Sequence, residues 1–198
     1  AMAKEELYDI WLDNCNKNFG ALFVDDSIDD LPKITKAVIV GGSPLPLPMW
    51  EDFARLEDHT IFVVDKTYQR MPYPPNYVVS VDASPLIEPY YEKEGVNEQD
   101  VILPFCVSPK IKNKSPRTHC YMPSIDKITD NIINKLTGLP IIQSYGTVTN
   151  TACTLAEYMG AKEIVLVGVT FGYPEGTPTD KMDWWNKFKA TGASEETL

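Results

Sequence analysis

Six short apolar runs set the fold problem for this chain. They lie at 37–40, 60–65, 77–81, 101–105, 140–143 and 163–168. They are rich in Val and Ile and nearly continuous rather than alternating, the pattern of strands buried on both faces of a parallel sheet. Between several of them lie segments with helical apolar spacing, at 49–56, 87–94, 124–136 and 148–159. Strands alternating with helices predict an α/β domain with a doubly wound, mostly parallel sheet and helices on both faces. A further amphipathic helix is expected over 5–19, with Leu7, Ile10, Trp11, Cys15 and Phe19 near helical spacing. An acidic, proline-marked connector follows, so the chain divides into a helix and connector at 1–36 and a Rossmann-like nucleotide-binding domain at 37–198.

The first run leads directly into Gly41-Gly42-Ser43 and then a proline-rich stretch. A strand, a glycine turn and a helix start form an anion pocket in which the backbone approaches a phosphate and free N–H groups point at it. The same turn also reads as a tight turn and nothing more. Ligands of open α/β sheets bind beyond the carboxyl ends of the strands. That rule gathers Gly41, Gly42, Ser43, Asp65, Asp82, Ser144, Gly146, Thr147, Gly168 and Thr170 onto one edge. Asp65 and Asp82 each end an apolar run and are candidates for Mg²⁺ or a ribose hydroxyl; capping of a neighbouring turn is the alternative. Ser144 to Asn150 is a second strand–turn–helix junction, where Thr147, Thr149 and Asn150 either bind an anion or base or simply cap the helix. Segment 108–123, polar, basic and broken by prolines, reads as a mobile surface loop. There Lys110, Lys112, Lys114 and Arg117 flank His119, a candidate phosphate ligand or acid. Segment 124–136 is expected to be capped by Ser124 and stopped by Gly138.

The net charge of -10 argues against a nucleic-acid partner, which needs a basic face. Four cysteines without CxxC spacing argue against structural zinc and fit a reduced, cytoplasmic chain. No apolar run approaches a membrane span. HExxH, Walker A, GxGxxG and serine-elbow motifs are all missing.

The ordered junctions resemble one family. They are Val-Ile-Val-Gly-Gly-Ser-Pro-Leu45, Tyr-Val-Val-Ser-Val-Asp82, Tyr-Gly-Thr-Val-Thr-Asn-Thr-Ala152 and Met-Gly-Ala-Lys-Glu-Ile-Val-Leu-Val-Gly-Val-Thr-Phe-Gly-Tyr173. The set, spanning residues 37–173, is similar to the 6-hydroxymethylpterin diphosphokinase-like family of archaea, whose domain is related to motility-associated factor glycosyltransferases. The resemblance implies a Rossmann-like fold and a nucleotide donor used on a small-molecule acceptor. In the pterin branch that donor is ATP with Mg²⁺, its diphosphate passing to a hydroxymethyl group; in the glycosyltransferase branch it is a CMP- or UDP-type activated sugar. By position, Gly41, Gly42 and Ser43 would line the phosphate loop, Asp82 would be the carboxylate after its strand, and Gly146, Thr147 and Thr149 would form the second loop. The chain departs from the family at two places. Gly41-Gly42-Ser43-Pro44-Leu45 stands for the usual Gly-x-Gly-Pro-Ser, and Thr170 stands for the usual Asp. The second departure removes a carboxylate and keeps a non-catalytic nucleotide-binding module among the readings.

Overall fold

The computed structural model describes residues 2–19, 26–43, 56–112, 114–124, 126–144 and 146–169. Among them are eight strands: β1 (Asp26–Ser27), β2 (Lys36–Val40), β3 (Thr60–Val64), β4 (Tyr77–Val79), β5 (Val101–Pro104), β6 (Thr118–Pro123), β7 (Ile141–Ile142) and β8 (Glu163–Val167). Five α-helical segments accompany them: α1 (Met2–Phe19), α2 (Asp65–Tyr68), α3 (Pro109–Lys112), α4 (Lys127–Thr137) and α5 (Val148–Tyr158). The spatial order is β1-β6-β5-β4-β3-β2-β8, with β7 also pairing β6. Every pairing is parallel. From β2 the chain adds β3, β4, β5 and β6 in one direction, then returns to lay β8 on the other flank of β2. The topological switch point is therefore the β2–β8 boundary, where Val40 is level with both Val63 and Val167. This is a Rossmann-like α/β fold.

Alternate residues of each strand serve opposite faces. Ala37, Ile39, Phe62, Val79, Ile102 and Tyr121 pack against Ala152, Leu155, Ala156 and Met159 of the α5 side. Val38, Val40, Val63, Val78, Val101 and Leu103 pack on the other face against Tyr68, Ile87, Tyr91, Val107 and Ile111. Residues 37–40 are fully buried, which explains why β2 reads as an unbroken apolar run. Each such Val or Ile contributes about 1.5–3 kcal/mol by burial.

Four expectations are corrected. Segment 108–123 is not a surface loop: it holds α3 and then β6, every residue of which is buried. Neighbours on both flanks, β5 and β1 with β7, override its polar composition. The connector before β2 contains β1 and a 3-10 helix, Ile28–Asp30, whose Ser27 and Asp30 cap it reciprocally while Ile28 enters the core. The cap of α4 is Asp126, not Ser124; its carboxylate accepts the N–H groups of Ile128 and Thr129. Gly138 does end that helix, at φ 72°. Finally, the inward face of α1 is not purely apolar: Asn14 and Asn18 are buried beside the partly buried Trp11 and Cys15, while Phe19 stays exposed against the Phe105 ring. The predicted helix at 49–56 falls almost wholly outside the described residues, as do Thr170 and the Trp184-Trp185 segment.

Candidate functional site at the carboxyl rim

Parallel strands open their carboxyl ends on one edge, and the turns after β2, β3, β4, β7 and β8 share it. At the switch point the glycine turn is fastened on both flanks. The Gly41 N–H donates to the Val167 carbonyl at 2.8 Å and the Ser43 N–H to the Gly168 carbonyl at 3.0 Å. From the β3 side, the Thr67 hydroxyl donates to the Gly41 carbonyl at 2.8 Å and Arg70 Nη2 to the Ser43 carbonyl at 2.6 Å. A side chain at Gly41 would sit 2.7 Å from Val169 Cγ2 and 2.9 Å from the Gly168 carbonyl oxygen. Glycine is required there because two backbones touch. At Gly42 the neighbour that a Cβ would meet among the described residues is Val64 Cγ2, at 3.9 Å, an ordinary van der Waals contact. The expectation of free N–H groups therefore fails at Gly41 and Ser43, whose donors extend the β2–β8 ladder. Gly168, at φ 63°, turns the chain beside them.

The two aspartates differ. Asp65 opens α2 and is buried; Oδ1 accepts the Lys66 N–H at 2.6 Å and Oδ2 the Ser80 hydroxyl at 2.9 Å. Tyr121 donates to the Ser80 carbonyl at 2.7 Å. Burial, reinforced by the Asp65 charge, holds the Tyr91 phenol well above its ordinary range. Asp65 is thus spent inside the protein and does not fit an outward-facing metal ligand. Asp82 is half-buried at the rim, where Oδ1 accepts the Ser84 N–H at 2.8 Å and shapes the loop after β4. A magnesium ion needs only one or two carboxylates besides phosphates and water, so Asp82 fits as a single ligand. Among the described residues no three His, Cys, Asp or Glu side chains cluster as a metal site.

The second turn, among the described residues, is closed by its own groups. Gly146 adopts φ 86°, and among the described residues nothing lies within 4 Å of its missing Cβ. Thr147 caps α5 by accepting the Asn150 N–H at 3.1 Å. Ser144 and Thr151 hydroxyls lie 2.9 Å apart, and Thr151 also bonds the Thr147 carbonyl. Thr149 and Asn150 are half-buried in the first turn of α5.

His119 does not join these turns. It lies in β6, four strands from β2, buried edge-on to Tyr77. Its Nε2 is 2.9 Å from Asp100, the residue just before β5. The neighbouring cations are engaged as well: Lys110 with Glu88 at 3.3 Å, Lys114 with Glu92 at 2.8 Å and Arg117 with Asp100 at 3.5 Å. They brace the surface instead of covering a donor.

The profile of the 6-hydroxymethylpterin diphosphokinase MptE-like family matches residues 11–176, most of the chain. The chain belongs to that family. No curated protein sequence matches it. Among solved structures it is similar to a MAf glycosyltransferase from Magnetospirillum magneticum AMB-1, with 17% identity and a TM-score of 0.57. The alignment covers 86% of this chain and 29% of that one, so this chain spans under a third of that protein and the likeness shows the fold.

Within this MptE-like chain, the structure brings to the rim residues that sequence reasoning missed. Arg70 reaches the glycine turn from beyond α2. Asn14 donates to the Ala83 and Cys106 carbonyls, both at 3.0 Å, and Asn18 to those of Phe105 and Val107, both at 2.8 Å. Helix α1 thereby fixes the loops after β4 and β5, including the one that carries Asp82. The available signal was two asparagines four apart on a helix with apolar neighbours. Three of the thiols are not ready nucleophiles. Burial raises Cys15 to about 11 and pushes Cys106 and Cys153 above their ordinary value.

Proposed function

We propose that the MptE-like chain is a nucleotide-dependent transferase whose donor lies across the β2–β8 switch point. The observation that carries this reading is the meeting of the Gly41–Ser43 turn with Gly168 at the strand-order reversal, the place where open α/β sheets take their ligands. The family supplies the reaction class: diphosphoryl transfer from ATP. An acceptor hydroxyl attacks the β-phosphorus, the bridging α–β P–O bond breaks, AMP leaves and the hydroxyl proton passes to water. Such a transfer asks the protein for positioning and charge neutralisation, not covalent help. Gly42, without a side chain, sits in the turn that the donor phosphates would meet, and Asp82 stands at the rim to orient the acceptor side. Magnesium, when bound, would neutralise the phosphates, with Asp82 as its protein ligand.

The inward turn of Asp65 favours a second reading, glycosyl transfer from a CMP- or UDP-activated sugar, which makes less demand on paired carboxylates. A thermal-shift panel of ATP, CMP, CTP and UDP, with and without Mg²⁺, separates the two. A rise with ATP and Mg²⁺ is expected for the first, and a metal-independent rise with a cytidine or uridine nucleotide for the second. No shift with any of them would sink both. In the enzyme, Asp82→Asn should lower turnover at least about 100-fold if the carboxylate neutralises developing charge; unchanged turnover removes Asp82 from the mechanism.

A further inference from the structure

We infer that α1 and α4 together form a docking surface for a second copy of this chain, with α1 of each copy laid along α4 of the other. Nine large apolar side chains are exposed among the described residues, and six of them lie on these two helices. On α4 they are Ile128, Ile132 and Leu136, at 73%, 53% and 65% exposure, spaced i, i+4, i+8 so that they form one stripe. A helix that rests on a domain normally turns such a stripe inward. Here no residue of α4 is buried. Its inner side carries Asp130, which accepts the Ser124 hydroxyl, and Ile133, which packs on the cluster of Phe105, Cys120, Met122 and Leu139. On α1, Tyr8, Leu12 and Phe19 are exposed. Cys15 of that helix packs on the same cluster, so the two stripes flank one buried patch. Charge selects the occupant. Lys127, Asn131 and Lys135 run one residue ahead of the α4 stripe at the same spacing, and all three are exposed. Asp9 and Asp13 run one residue behind Tyr8 and Leu12 and are exposed too. Asp13 shares Lys17 of its own helix, an exposed i, i+4 pair of little strength. A two-fold pairing of α4 with α4 brings the same flank of both together, lysine row against lysine row. Laid parallel, α1 and α4 instead set an aspartate row against a lysine row and one apolar stripe against the other. A two-fold axis beside the shared cluster makes that contact twice, the form that self-complementary surfaces take.

The test is sedimentation equilibrium of the full chain from micromolar to near-millimolar concentration, with the Tm of each variant as a folding control. Growth from one chain mass to two is expected as concentration rises. Ile132→Glu puts a charge into the apolar seam and should weaken self-association at least about 10-fold while leaving Tm in place, because the side chain is exposed. Lys127→Glu with Lys135→Glu, and separately Asp9→Lys with Asp13→Lys, should each weaken it by roughly 10-fold, since both give the facing rows the same sign. The aspartate variant carries less net negative charge than the parent, so weakening there sets local pairing apart from general repulsion. Mixing the two charge-reversed chains should restore association to near the parent level, because every row then meets its opposite. Failure of that mixture to associate, with both variants folded, overturns the pairing of α1 with α4, as does association of the parent that none of these substitutions disturbs. A parent that stays monomeric overturns the second copy as occupant. Hydroxyl-radical footprinting then identifies the alternative: Leu136 shielded in the monomer puts a further segment of the same chain over the stripe, and Leu136 reactive leaves the stripe to a different protein.

Discussion

The two glycine-bearing turns of this rim look alike as sequence and work differently. The turn after β2 is held by its neighbours: two donors run to β8, two acceptors receive Thr67 and Arg70, and Gly41 lies against Val169. Among the described residues the turn after β7 is held by its own groups, through the Thr147 cap and the Ser144–Thr151 hydroxyl pair, with Gly146 at φ 86°. One glycine exists because a side chain would collide, the other because a side chain would resist the backbone angle. Only the first ties its turn to the place where strand order reverses.

Substitutions sharpen this contrast, and the largest effect is expected at Gly41. Gly41→Ala drives a methyl into Val169 and the Gly168 carbonyl, costing about 1–3 kcal/mol and lowering Tm by roughly 3–10 °C. A smaller cost, about 1–2 kcal/mol, is expected for Gly146→Ala, and it is purely conformational; Gly146→Asn, which tolerates the left-handed region, should recover much of it. If the denaturation midpoint falls equally for Ala and Asn, the turn after β7 is crowded after all. Thr147→Ala removes the α5 cap and should cost about 1 kcal/mol, read by urea unfolding. Least of all in stability is Gly42→Ala: with 3.9 Å to Val64, Tm should move by less than about 1 °C. Its effect belongs in ligand affinity, and a large loss of stability would show that both positions of the turn are packed.

The sheet was legible because buried parallel strands announce themselves as Val- and Ile-rich runs, as at 37–40 and 60–64. Strand β6 escaped. Its Thr-His-Cys-Tyr-Met-Pro sequence carries no apolar run, and only its position between β5 and the β1–β7 flank buries it. The rim was legible as an edge, since topology follows from strand order, but its chemistry was not. Whether the Gly41 N–H is free depends on the register of β8, 122 or more residues along, and no local pattern encodes that. The two aspartates were equivalent as strand ends; Ser80, whose hydroxyl meets Asp65, separates them. Arg70 and Asn14 were invisible as site residues because each reaches the rim through long-range contacts to backbone carbonyls.

The attachment of α1 has a bearing on biosynthesis. Asn14 finds its carbonyls 69 and 92 residues further along, and Asn18 finds its own at 87 and 89. At translation rates of about 5–20 residues per second, α1 must wait roughly 5–20 s for the polypeptide that completes it. In that interval Phe19 lacks the Phe105 ring that it meets in the finished fold, and a ribosome stalled before Val107 would leave a nascent chain with α1 undocked.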